Sequence, residues 1–301
     1  VMNAIQDASM FPELLKENRQ KLLSEYQRAK GIEAERDELM EKLKYRRVSF
    51  KNYEPPVEKL GIQRVEFKLA KIRLDTKSLF SLNWKFGKQS TWKQKGVELE
   101  SLKELEREWV KKADENRWIV PRAVFGLFPV QSEGDELIVY DPNQRGKELT
   151  RIRFTVCVGK GRRDKFLVSQ YYHSLESGIM DVAGFAITSA GQEVGTAITG
   201  FKEEFDSESA MYLQGLSDRT AEDLMEYIHN LLRQRAGFKK GKPGQRYSPG
   251  YPALEDLKNN RVIYEILNGR DIGVSLTDGN QFSPPSATAC IVSFHPDSSY
   301  T

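Results

Sequence analysis

Cysteine and histidine are scarce in this chain. Of its 301 residues, two are cysteine (Cys157 and Cys290) and three are histidine (His173, His229 and His295). Neither Cys-x-x-Cys nor His-Glu-x-x-His occurs, which argues against a zinc site built from this sequence. Both cysteines lie in strand-like apolar runs and read as small buried hydrophobes in a reducing compartment. Gly-x-Ser-x-Gly and Walker-type phosphate loops are also missing, which removes the usual hydrolase and nucleotide-hydrolysing chemistries. Charge of one sign is not in excess: 46 basic against 43 acidic residues give a formal net charge of +3. A dedicated nucleic-acid binder concentrates far more Lys and Arg, so no nucleic-acid partner is expected. No apolar run approaches the roughly 20 residues that span a bilayer, and Val1 to Met10 has no signal-peptide character. The expectation is a cytoplasmic protein with no membrane partner. The Val1 start reads as a piece excised from something longer.

What is present is a globular balance, 39% apolar and 30% charged. From Glu13 to Arg47 the chain is charged, helix-forming and free of proline, with Leu15, Leu22 and Ala29 at seven-residue spacing and Tyr26 on the same stripe. Two heptads are too few for a coiled coil, so the segment reads as solvated linker helices. Pro55-Pro56 then ends any helix. Ser101 to Lys112 carries Leu102, Leu105, Trp109 and Val110 at helical spacing. Strands are expected at Ala123–Phe128, Glu136–Tyr140, Arg151–Val158, Ala183–Ser189, Gly273–Thr277 and Ala287–Phe294. A long helix is expected from Ser209 to Arg235 on the stripe Ala221, Leu224, Ile228 and Leu232. Strands adjoin strands, which favours an α+β fold: a mainly antiparallel twisted sheet with flanking helices, preceded by a helical linker. Gly159 to Arg163 reads as a basic hairpin turn rather than a phosphate cradle, since no helix follows it. Lys239, Lys240 and Lys242 read as a solvated connector.

Arg246-Tyr247-Ser248-Pro249-Gly250-Tyr251-Pro252 is chemically unusual. Pro249-Gly250 suits the central pair of a type II turn, with Gly at the positive φ. The turn would present a planar cation, backbone amides and ring faces, a fitting platform for a ligand with a carboxylate and a heterocycle.

Arg246 to Ala253 resembles the Arg-x-x-x-Gly-Tyr-Pro-Ala signature of the activation domain of cobalamin-dependent methionine synthase. Val124 to Pro129 with Gly134-Asp135 resembles that family's Val-Phe-Gly-Leu-Phe-Pro strand and turn. Asp181 to Thr188 resembles its Asp-x-x-Gly-x-Phe-Ala-x-Thr segment, one residue shorter. Leu216 to Glu222 resembles its ligand-bearing helix, and His295-Pro296-Asp297-Ser298 with Tyr300 its terminal motif. Leu60-Gly61 after Pro55-Pro56 matches the domain's start. Asp7-Ala8-Ser9 resembles the last strand end of the cobalamin-binding domain.

The resemblance implies two domains: residues 1–48 as the end of a cobalamin-binding domain with a helical linker, and 49–301 as the activation domain. It implies a terminal fragment of a methyltransferase that is not self-sufficient for turnover. Such a domain binds S-adenosylmethionine and presents its methyl group for reductive methylation of cob(II)alamin, reactivating the enzyme in methionine biosynthesis. The electron would come from a flavodoxin-type donor, and the cobalamin from the adjoining domain of the same enzyme. Zinc would belong only to an N-terminal region that this sequence does not match. The implied S-adenosylmethionine-binding residues are Asp75 (ammonium group), Glu222 (cationic part), Arg246 (carboxylate) and Tyr251 (wall). No residue serves as an acid–base catalyst or metal ligand. The alternative is a docking domain for a flavodoxin-type reductase with a degenerate ligand site. Three departures from the family pattern stand out: Val292 in place of a ligand-contacting tyrosine, an apolar run at Phe154 to Val158 in place of an Arg-Gln strand, and one extra residue around Leu82-Asn83-Trp84.

Overall fold

A computed structural model describes residues 44–51, 53–56, 61–92, 96–144, 146–158, 164–238 and 244–299. The expected linker helices up to residue 43, the Gly159 to Arg163 turn, Lys239, Lys240, Lys242 and Tyr300 fall outside the described residues. At the end of the expected helical stretch Lys44–Tyr45 is instead a short strand, held by pairing with Asp164 and Lys165. The chain divides into two compact units, Val1–Arg46 with Val158–Lys165, and Arg47–Cys157 with Phe166–Thr301. In the first, Lys44 and Tyr45 pair in parallel with Asp164 and Lys165, and Arg46 forms an ion pair with Asp164 at 3.5 Å.

The second unit is organised by a seven-stranded sheet. Its strands are β1 (Gly61–Glu66), β2 (Arg122–Glu133), β3 (Glu136–Tyr140), β4 (Glu148–Arg153), β5 (Asp181–Ser189), β6 (Gln245–Tyr247) and β7 (Ala287–Ser293). The order is β4-β3-β2-β5-β7-β6, with β1 also on β2, and every pairing is antiparallel. β1 and β3 occupy the same edge of the long β2, pairing up to Leu127 and from Val130 respectively. Pro129, which has no N–H to give a ladder, falls in the gap between them. Gly126 is required where β1 crosses, because a Cβ there would lie 2.7 Å from the Gly61 carbonyl oxygen.

Alternation along the central strands separates two cores. Val124, Ala183, Phe185 and Ile187 face the layer containing Ile263 and Leu267 of helix α4 (Lys258–Leu267). Phe125, Val182, Ala186, Cys290 and Val292 face Leu224, Met225, Ile228 and Leu232 of helix α3 (Ser207–Arg235). A third cluster joins α1 (Leu99–Glu115), α2 (Glu193–Glu203) and the first half of α3 to Leu69, Leu79, Phe80 and Trp84.

Several boundaries differ from the expected ones. The strand expected at Ala123–Phe128 is β2, which runs on through Pro129 to Glu133 because Val130 to Ser132 find partners in β3. The run expected from Arg151 to Val158 breaks after Arg153, and Cys157–Val158 is a separate short strand. At the break, the Phe154 amide bonds to the Asp135 carbonyl and that of Thr155 to the Ala253 carbonyl, outside the ladder. Only Ser275–Leu276 of the run expected at Gly273–Thr277 is strand.

Just before Trp84 the chain makes a π-helical turn, Leu79–Asn83, which takes one more residue than an α-turn. That turn packs against α3 at Gly215, where a Cβ would meet Trp84 Cδ1 at 2.7 Å. The Trp84 indole N–H locks the contact by donating to the Tyr212 carbonyl at 2.9 Å. Gly215→Ala is therefore expected to destabilise the protein by roughly 1–3 kcal/mol through overpacking. Alanine's better helix propensity, about 1 kcal/mol, offsets only part of that. Urea denaturation would read the loss as a lower midpoint, whereas a raised midpoint would show that the contact can relax.

Candidate functional site

Glu222 is placed by a tether one residue before it. Thr188 of β5, fully buried, donates its hydroxyl to the Ala221 carbonyl at 2.9 Å, fixing α3 on the sheet. A buried polar knot does the same one turn earlier. Ser286 donates to Asp218 at 2.6 Å and lies 2.8 Å from the Ser217 hydroxyl. With Ala221 and Leu224 turned to the core, Arg219, Glu222, Asp223 and Glu226 form a charged stripe at i, i+3, i+4 and i+7.

Arg246 reaches this stripe from the edge strand. Gly244 brings the chain against the Ser293 carbonyl, too close for any Cβ, and β6 then pairs with β7. Arg246 is in register with Val292, so its side chain projects on the α3 side. Its neighbour Tyr247 turns into the opposite core and donates its hydroxyl to the Ser299 carbonyl at 2.7 Å. Arg246 thus belongs to an edge strand. Its Nη2 lies 3.6 Å from a Glu222 carboxylate oxygen and 4.0 Å from one of Glu226. Its Nη1 is buried with no hydrogen-bond partner among the described residues. Such a nitrogen is costly to leave unpaired, and an incoming anion would satisfy it.

Asp75 joins the same face through its backbone. Its amide donates to Asp223 at 2.7 Å, and Asp223 is gripped by both prongs of Arg219 at 2.8 Å. The Asp75 carboxylate caps the turn Thr76–Ser78, accepting from the Lys77 and Ser78 amides and, at 2.6 Å, from the Ser78 hydroxyl. That hydroxyl bond, aided by the charge of Arg219, holds its pKa below the ordinary aspartate value, so an exposed anion stands beside the stripe. A cleft of about 580 Å³ adjoins, walled by Phe67, Ile72 and Tyr227 and by the stripe residues Asp223 and Glu226.

Tyr251 stands apart. The Ser248 to Tyr251 turn forms as expected: the Tyr251 amide bonds to the Ser248 carbonyl at 3.3 Å, and Gly250 takes φ +87. The Tyr251 ring is 53% exposed and lines a different cavity, of about 450 Å³, with Ser248, Pro249 and Thr288. Arg246 and Glu222 therefore meet, Asp75 is tied through its amide to Asp223, the residue next to Glu222 on α3, and Tyr251 borders a different cavity. Val292 is wholly buried under α3. Sequence reading missed Asp223, Arg219 and Glu226, although their four-residue spacings to one another and to Glu222 were visible on a predicted helix. Among the described residues no group of three or more His, Cys, Asp or Glu is arranged to hold a metal ion. No helix among them is long and apolar enough to cross a membrane.

A family model described as "Vitamin B12 dependent methionine synthase, activation domain" matches residues 75–301. The methionine synthase of Mycobacterium tuberculosis is 27% identical over 260 residues, covering 75% of this chain and 21% of the relative. That of Mycobacterium leprae is 25% identical over 201 residues, covering 59% and 16%. The chain thus spans about a fifth of the length of the curated relatives it matches. A solved structure of the MetH reactivation domain bound to AdoHcy superposes with a TM-score of 0.75, at 24% identity and over 85% of each chain. Its likeness extends to the α+β fold with a mainly antiparallel sheet.

Proposed function

The chain belongs to the family of vitamin B12-dependent methionine synthase activation domains, and on that footing we propose that it binds S-adenosylmethionine and presents its methyl group for reductive methylation of cob(II)alamin. The observation that carries this reading is the Arg246 guanidinium, with a buried unpaired nitrogen, beside the half-exposed Glu222. Together they offer an anion grip and a counter-charge within one side chain's length, as a zwitterionic sulfonium ligand requires. That the solved relative carries AdoHcy supports the choice of ligand.

Arg246 takes the ligand's carboxylate through the free Nη1, and Glu222 faces the sulfonium. Asp75, anchored through Asp223, receives the ammonium group. Tyr251, four residues beyond the strand that carries Arg246, walls the heterocycle from the neighbouring cavity. The corrin is the substrate here, delivered by the cobalamin-binding domain of the same enzyme, and the electron donor is a flavodoxin-type protein. None of these roles asks the chain for a general base; its contribution is to hold and orient the ligand. The domain partition at 48/49, a cytoplasmic location and dependence on the rest of the enzyme for turnover belong to the same proposal. A purely docking domain would have no use for an unpaired buried guanidinium nitrogen facing a glutamate.

Calorimetric titration tests this directly. S-adenosylmethionine should bind saturably, and more tightly than S-adenosylhomocysteine, which lacks the sulfonium charge. Glu222→Gln should narrow that preference. A preference unchanged by Glu222→Gln would remove Glu222 from the ligand.

A further inference from the structure

We propose that Glu226 is the counter-ion that keeps Arg246 in its binding position once Glu222 turns to a cationic ligand. This rests on the reading of Arg246 as the carboxylate grip and extends it to a residue that grip depends on.

Arg246 lies between two carboxylates on successive turns of α3 and is within hydrogen-bond distance of neither, at 3.6 and 4.0 Å. It is held by charge rather than by a bidentate bond. A sulfonium arriving at Glu222 competes with the guanidinium for the same carboxylate and repels it. Without a second anion, Arg246 would be pushed from the place where its Nη1 meets the ligand's carboxylate. Glu226 supplies that anion from the next turn, and its own position is fixed independently of Glu222. Asn230 donates to its other oxygen at 3.1 Å, and His229 Nδ1 stands 4.0 Å away. The His229 ring is buried, and neither of its nitrogens has a hydrogen-bond partner among the described residues, so Glu226 is its nearest acidic neighbour in this cluster. A glutamate beside a guanidinium is ionised at neutral pH, so Glu226 keeps its charge when the ligand binds. Glu226 is thus a positioning residue that acts through Arg246.

The test is calorimetry on the whole chain with two ligands, S-adenosylmethionine and its decarboxylated form, which keeps the sulfonium and ammonium groups. Glu226→Gln should weaken S-adenosylmethionine by roughly fivefold, as expected for a half-exposed ion pair. It should leave the decarboxylated ligand unchanged and add nothing in an Arg246→Ala background. Equal losses for both ligands would show Glu226 attracting the cationic end directly and would overturn the proposal. So would a full loss that persists without Arg246, or no loss at all while Arg246→Ala still weakens binding. If Arg246→Ala itself has no effect, the carboxylate-grip reading fails first and this inference falls with it.

Discussion

Replacing Asp181 by alanine is expected to lower the unfolding free energy by roughly 3–5 kcal/mol, the largest stability effect anticipated for a single side chain here. Asp181 is wholly buried at the start of β5. It accepts from the Tyr53 hydroxyl at 2.7 Å, from the His173 amide at 3.0 Å and from the Val182 amide at 2.8 Å, and lies 3.0 Å from His173 Nδ1. Removing the carboxylate leaves those groups buried without an acceptor, each costing about 1–3 kcal/mol before relaxation. Burial and the Asp181 charge also push the Tyr53 hydroxyl pKa far up, so Tyr53 stays a donor. The same cluster sets the Phe50 ring 4.3 Å from His173, tilted, and Tyr53 4.8 Å from His295, seating Phe50 and Tyr53 on the domain. Tyr53→Phe should cost only about 1 kcal/mol, since Asp181 keeps its other donors. Urea midpoints for the two variants check the contrast. Comparable losses would mean that the Tyr53 hydrogen bond carries the cluster and that the other donors to Asp181 contribute little.

Arg246→Ala is expected to weaken S-adenosylmethionine binding by about ten- to a hundredfold, the value of a charge-assisted hydrogen bond of roughly 1.5–3 kcal/mol. The fold should survive. The β6 ladder uses backbone groups, and the ion pairs of Arg246 to Glu222 and Glu226 are long and partly solvated. Arg246→Lys should recover only part of the affinity, because an ammonium keeps the charge but cannot reach the ligand with two prongs while facing α3.

Elements with strong periodicity were legible in the sequence. α1 and α3 carry long apolar stripes, and β3 is a short apolar run between turn residues, so each appears within a few residues of its expected place. α2 was not legible: Gly195 and Gly200 with Val194, Thr196, Ile198 and Thr199 make it a poor helix by propensity, and packing against α3 overrides that. α4 is similarly disguised by Asn259, Asn260, Val262 and Ile263. β1 is a largely exposed edge strand whose sequence shows no buried face. At the site, residue types and the Pro249-Gly250 turn could be read directly. The approach of Arg246 to Glu222 could not, because it depends on the pairing of β6 with β7 across a long separation in sequence. The quoted motifs also divide by role. Asp181 and His295 gather in the buried cluster around Tyr53, and Gly126 makes room for β1, whereas Glu222 and Arg246 meet at the surface.

The most direct test of the central claim is calorimetric binding of S-adenosylmethionine to the wild-type chain, Arg246→Ala and Glu222→Gln, with circular dichroism confirming that all three are folded. Saturable binding to the wild type and clearly weaker binding to both variants is the result predicted. Equal affinity across the three folded proteins, or no binding to the wild type, would contradict it.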